Sequence, residues 1–206
     1  MRVWEIICAG FFLLILSISQ TLIHPPSSGS AGKRFLLWIA QGFGSGRIPV
    51  APGTFGSIVG VFWFALLLAS GRWWVLISGT IAGIALSVWV CDLAEKALGR
   101  KDPESVVLDE IAAIPFCFFA WVCLTWSKIG SLPSLDYCLS GHRWVWVLLI
   151  FGLFRLFDVA KPWPVRQSQS LRGGWGITID DVLAALYVNL VVLLIEAGKA
   201  AAAHWL

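Results

Sequence analysis

The sequence predicts an all-α fold, a compact bundle of short helices crossing a membrane. Three observations carry this: apolar runs recur at helical length, charged residues are too few to coat a water-facing surface, and small residues recur where helices would touch. Hydrophobic residues make up 58% and charged residues 13% of the 206, against roughly 45–50% and 25% in soluble chains. Mean hydropathy is +0.82. The 13 Trp and 13 Phe suit a chain bounded by lipid, because aromatic rings favour the water–lipid boundary.

The first apolar run, residues 3–22, follows Arg2 and ends near Ser19 and Gln20, so it reads as a signal-like segment or an uncleaved anchor. Residues 24–33, with Pro25, Pro26 and three serines, read as a flexible linker. This divides the chain into an N-terminal segment at 1–32, a functional domain at 33–196 and a C-terminal tail at 197–206. Further apolar runs cover 58–69, 73–91, 111–126, 144–157 and 182–195. Several hold only 12–16 residues, roughly 18–24 Å of helix, so they must extend into flanking polar residues to cross a hydrocarbon core of about 30 Å. Ser57, Gly60, Ser78, Gly79, Thr80, Gly83 and Ser87 are small enough to let helix backbones approach closely.

A net charge of +3, with no basic run and no zinc-finger spacing, excludes nucleic acid as a partner. The five cysteines form no C-x-x-C pair. Cys8, Cys91, Cys117 and Cys123 lie in or beside apolar runs and Cys138 in a polar loop, so free thiols are expected. If the helices alternate direction from 58–69 onward, one side receives Lys33, Arg34, Arg47, Lys96, Arg100, Lys101, Arg155, Lys161, Arg166 and Arg172. The other receives Arg72, Lys128, Arg143 and Lys199. The cation-rich side is cytoplasmic by the positive-inside rule.

Acids gather on that same side. Asp109 and Glu110 precede one apolar run, Asp158 follows the next, and Asp180 and Asp181 precede the last. Antiparallel helices bring these five carboxylates to one depth, a polar site at the cytoplasmic boundary. Each ionised member raises the cost of ionising its neighbours, so the cluster needs cations. Hard oxygen ligands facing a phosphate-rich compartment suit Mg²⁺, held by Asp109, Glu110, Asp158, Asp180 and Asp181. The competing account is structural: Asp109 and Asp180 cap helix N-termini, and Asp158 pairs with Arg155 and Lys161 three residues to either side.

Two glycine-rich elements share the plane. Gly42-Phe-Gly-Ser-Gly46 and Ala51-Pro-Gly-Thr54 with Phe55, Gly56 and Ser57 run into the helix starting near Ile58. Free N–H groups with the hydroxyls of Thr54 and Ser57 make a possible anion site, or the stretch is only a tight turn. No Walker ending is present. Gly173-Gly-Trp-Gly176 precedes Asp180 and Asp181 and reads either as a second such element or as a plain loop.

Together with Val107-Leu-Asp-Glu110, Phe154-Arg-Leu-Phe-Asp158, Lys161-Pro-Trp-Pro164 and Ile179-Asp-Asp181, these strings resemble in order and spacing the phosphatidylglycerophosphatase A family of bacterial membrane phosphatases. Ala112-Ala113, Thr178 and Ala185 depart from the family pattern in ways that bear on helix contact more than on chemistry. The resemblance implies Mg²⁺-dependent removal of the terminal phosphate of phosphatidylglycerophosphate at the cytoplasmic face of the inner membrane. The expected catalytic set is Asp109, Glu110, Asp158, Lys161, Asp180 and Asp181. Gly53, Thr54, Gly56, Ser57, Arg155 and Arg166 are the expected phosphate-binding set. Either water or a carboxylate, Asp158 or Asp181, is the nucleophile. The alternative function is a divalent-cation channel or carrier, which requires acids at mid-span rather than beside the apolar runs. A non-catalytic scaffold binding anionic lipid is a further rival.

Overall fold

The computed structural model describes residues 30–205. Among these the chain is helical with no strand. The expectations for the 3–22 run, for Cys8 and for residues 24–29 lie outside the described residues. The helices are α1 (Ala31–Ala40), α2 (Pro52–Ala69), α3 (Trp73–Leu98), α4 (Leu108–Cys117), α5 (Phe119–Ile129), α6 (Leu135–Leu139), α7 (Trp144–Ala160), α8 (Val165–Ser168) and α9 (Gly174–Trp205), with a 3₁₀ turn at Gly42–Arg47.

Two sequence expectations change at the ends. Residues 31–33 open a helix instead of closing a linker, because Ser30 caps it through the Lys33 N–H at 3.4 Å. Leu37 and Ala40 then bury against Val90, Cys91 and Ala94 of α3. At the other end, α9 continues past Ile195 through the stretch read as a tail, which is rich in alanine, the strongest helix former.

Each apolar run among the described residues extends into polar flanks on at least one side. Among the described residues four helical stretches are long and apolar enough to span: Pro52–Ala69, Trp73–Leu98, Leu108–Ile129 and Gly174–Ala203. The 17-residue α7 is a fifth apolar helix. The α4–α5 stretch is the axis of the bundle, 67% buried against 28–33% for α2 and α3. Ile114, Cys117 and Phe118 are fully buried there, and Phe118 stacks on Phe64 of α2 with ring centroids 4.2 Å apart. Helices α2, α3, α7 and α9 all lean on α4, so whatever sits at its N-terminus is surrounded. The four described cysteines are free.

The axis is interrupted at Phe118, three residues after Pro115 in the last turn of α4. Proline removes a backbone donor and crowds the preceding turn, which inside a membrane strands polar groups that only protein can satisfy. Asn189 of α9 fills the gap. Its Oδ1 accepts the Ala120 N–H at 2.7 Å, and its Nδ2 donates to the Phe116 carbonyl at 2.8 Å. In an unbroken helix those two backbone groups would bond to each other.

Candidate active site

The residues at the N-terminus of α4, the C-terminus of α7 and the second turn of α9 meet around a cavity of about 280 Å³. Asp109, Glu110, Arg155, Asp158, Lys161, Asp180 and Asp181 all line it, with Pro52 and Gly53 from the start of α2. The five carboxylates expected to converge do converge. Three of the four described non-glycine residues with left-handed backbone, Ala51, Asp102 and Lys161, also stand on its wall.

One half of the site is an ion-pair network. Arg155 Nη1 lies 2.9 Å from Glu110 Oε2 and 2.8 Å from Asp158 Oδ2, and it donates to the Ser57 hydroxyl at 3.2 Å. That hydroxyl is 2.8 Å from Glu110 Oε2 and 2.9 Å from the Gly53 carbonyl. Arg155 thus joins α7 to α2 and α4. The pairing of Asp158 with Arg155 is the ion pair expected from their spacing. Lys161 instead turns away to α9.

The other half is less satisfied. Lys161 Nζ lies 2.7 Å from Asp180 Oδ2, which also accepts from Gln169 Nε2 at 3.1 Å. Burial lowers the Lys161 pKa, but the hydrogen bond to Asp180 and the charges of Asp180, Asp158 and Asp181 outweigh it and hold the ammonium above its ordinary value. Asp109 Oδ1, Asp180 Oδ1 and Asp181 Oδ2 are buried with no hydrogen-bond partner. Among the described residues no three His, Cys, Asp or Glu side chains close into a ready-made metal cage.

The capping account is corrected for both aspartates. Val107 is the N-cap of α4 and makes no side-chain cap bond, while Asp109 is in the first turn with one oxygen unpaired. Asp180 and Asp181 lie well inside α9, which starts at Gly174. Against the start of α9 stands a residue that sequence reasoning missed: Asp92 of α3, whose carboxylate a Cβ on Gly173 would strike, pairs with Lys96 at 2.6 Å.

Residues 38–196 match the profile of phosphatidylglycerophosphatase A. The chain belongs to that family. It is 35% identical over 159 residues to phosphatidylglycerophosphatase A of Haemophilus influenzae, covering 77% of this chain and 86% of the relative. It is 33% identical over 150 residues to phosphatidylglycerophosphatase A of Escherichia coli, covering 72% and 76%. A Bacteroides thetaiotaomicron protein provisionally named a phosphatidylinositol-3-phosphatase is 33% identical over 159 residues, covering 75% and 89%. No solved structure matches. As a member of the phosphatidylglycerophosphatase A family the chain is a phosphoric monoester hydrolase.

Within this phosphatidylglycerophosphatase A framework the glycines act by close approach. A Cβ on Gly53 would strike the Glu110 carboxylate, and one on Gly56 would press into Val107 at 2.7 Å. Gly53 therefore reaches the cavity, whereas Gly56 and Ser57 are buried behind it. Thr54 is half-buried off the cavity, its N–H bonded to the Ala51 carbonyl at 3.0 Å. Arg166 is exposed on α8 and does not line the cavity. Asp102, Glu104 and Gln169 were not anticipated: the first two line the cavity, and the third touches Asp180. Their connections carry no hydrophobic period, so only tertiary contact reveals them.

Proposed function

We propose that this chain hydrolyses the terminal phosphate of phosphatidylglycerophosphate, with Mg²⁺, at the cytoplasmic face of a bacterial inner membrane. The observation that carries the reading is the set of three buried, unpartnered carboxylate oxygens on Asp109, Asp180 and Asp181. They share the cavity with the cations of Arg155 and Lys161. Buried polar atoms without partners cost free energy unless something pairs with them, and hard anionic oxygens suit a hard divalent cation. Mg²⁺ usually keeps several waters and takes one or two carboxylates plus substrate phosphate, so open donors in place of a closed cage fit it. When bound, Mg²⁺ supplies neutralisation of phosphoryl charge.

The chain's own groups do the rest. Asp109, Asp180 and Asp181 carry the oxygens that would hold the ion. Arg155 bridges Glu110 and Asp158 at the opposite wall, and Lys161 adds positive charge where phosphoryl oxygens gather. Gly53, bare of a side chain, lets the Glu110 carboxylate and the Arg155 guanidinium pack against the first turn of α2. Attack at phosphorus makes one P–O bond as the ester P–O bond breaks, and the glycerol oxygen leaves with a proton. Positioning and charge suffice for such a transfer. Water aligned by Asp158 is the nucleophile in this reading. A covalent phosphoenzyme on Asp158 or Asp181, trapped in a single turnover, would replace it.

The test is phosphate release by purified protein in liposomes, with Mg²⁺ or EDTA, beside Asp158→Asn. Mg²⁺-dependent release lost in the variant is the expected result. No release from folded wild type overturns the reading and favours the cation-transport alternative. Phosphatidylinositol-3-phosphate offered in parallel decides the headgroup, given the name of the Bacteroides thetaiotaomicron relative.

A further inference from the structure

We propose that Gln169 is a positioning residue that fixes the carboxylate plane of Asp180, so that Oδ1 faces the metal-binding side of the cavity; this rests on the Mg²⁺-dependent reading above. Gln169 ends the short helix α8. That helix is pinned by fully buried Val165 and by the Ser168 hydroxyl, which donates to the Val165 carbonyl at 2.7 Å. The loop after it lies directly on α9 at Gly176, where a Cβ would meet the Leu171 carbonyl at 2.5 Å and the Gln169 carbonyl at 3.3 Å. Gly176 is one turn before Asp180, so this contact delivers the Gln169 side chain to that carboxylate.

Two donors meet on one oxygen. Gln169 Nε2 and Lys161 Nζ both reach Asp180 Oδ2, while Oδ1 stays buried and unpartnered. An ammonium on a flexible stem is a point charge that follows either carboxylate oxygen. A second donor from another direction removes that freedom and sets which oxygen is free. Gln169 also lines a separate cavity of about 350 Å³ with Glu95, Lys101 and Asp102. Asp102 lines both cavities. Gln169 thus reaches Asp180 from the side of the second cavity. Its neutral amide donates there without adding a charge to either side.

Gln169→Met keeps the chain length and removes the donor. In the full-length protein reconstituted in lipid, Mn²⁺ affinity read by electron paramagnetic resonance should fall about 10–100-fold, the range for residues that orient metal ligands. KM for the lipid should stay within about twofold, and the lost turnover should return as Mg²⁺ is raised. In an Asp180→Asn background the same substitution should shift Mn²⁺ affinity by less than about twofold, because the effect passes through Asp180. Gln169→Leu replaces the methionine variant if that one does not fold. Mn²⁺ affinity unchanged by the substitution, or an equal loss in both backgrounds, overturns the proposal while leaving an active wild type as a phosphatase. A wild type that neither binds Mn²⁺ nor releases phosphate overturns both readings.

Discussion

At Ala51, Asp102 and Lys161 the backbone is left-handed, with φ of 50°, 46° and 44°. Side-chain-bearing residues held there cost roughly 1–3 kcal/mol each and cluster at functional sites, and these three border one cavity. Ala51→Gly should relieve that strain and raise stability by about 1 kcal/mol, measured as a shift in the unfolding midpoint. Lys161 gives a pH signature. Its pKa lies above the ordinary value in the folded chain, so its pairing stabilises fully below the unfolded lysine pKa of about 10.4 and is lost as pH rises through the folded value. The stability difference between wild type and Lys161→Met should stay level between about pH 8 and 10 and close above that; a difference already shrinking at pH 8 would contradict it. The acids of this site were legible in the sequence because a chain so poor in charge places them beside apolar runs. Asp102, Glu104 and Gln169 were not, because their roles come from how two irregular connections fold over the cavity.

Helices were legible as elements, and their interruptions were not. The run at 111–126 reads as one span, yet it divides at Phe118 into α4 and α5, and Asn189 bridges the break. A lone asparagine in the apolar run 182–195 was the available signal. Asn189→Leu leaves the Phe116 carbonyl and Ala120 N–H unpaired and should cost about 1–3 kcal/mol. Adding Pro115→Ala, which lets the helix close on itself, should recover part of that loss in the same unfolding assay. Thr178 offers a contrasting pair. Its hydroxyl is 3.0 Å from that of Ser87, both fully buried between α9 and α3, which accounts for a polar residue at a position expected to be apolar. Thr178→Val alone strands a partner, whereas Thr178→Val with Ser87→Ala removes both. The double variant should be more stable than the sum of the singles, and strict additivity would show the contact to be idle.

For the whole molecule, the alternating path read from the sequence brings the same connections together that the cavity joins. Residues 92–110 and 158–181 lie at one end of the bundle, with Arg155 bridging to α2. The proposed orientation, with this end cytoplasmic, rests on cation placement. On a background without native cysteines, Glu104→Cys should react with an impermeant thiol reagent only after the cells are opened, and His142→Cys in intact spheroplasts; the reverse pattern would invert the topology. Helix lengths add a consequence. With 18 residues α2 extends about 27 Å, short of the about 30 Å core, whereas α3 with 26 residues extends about 39 Å. Local thinning is one response to such a mismatch, and Gly53, on the cavity wall, is in the first turn of α2. Thinning there would bring the membrane surface toward the reaction chamber, so turnover measured in vesicles of graded acyl length should be fastest in shorter-chain lipid and fall as chains lengthen.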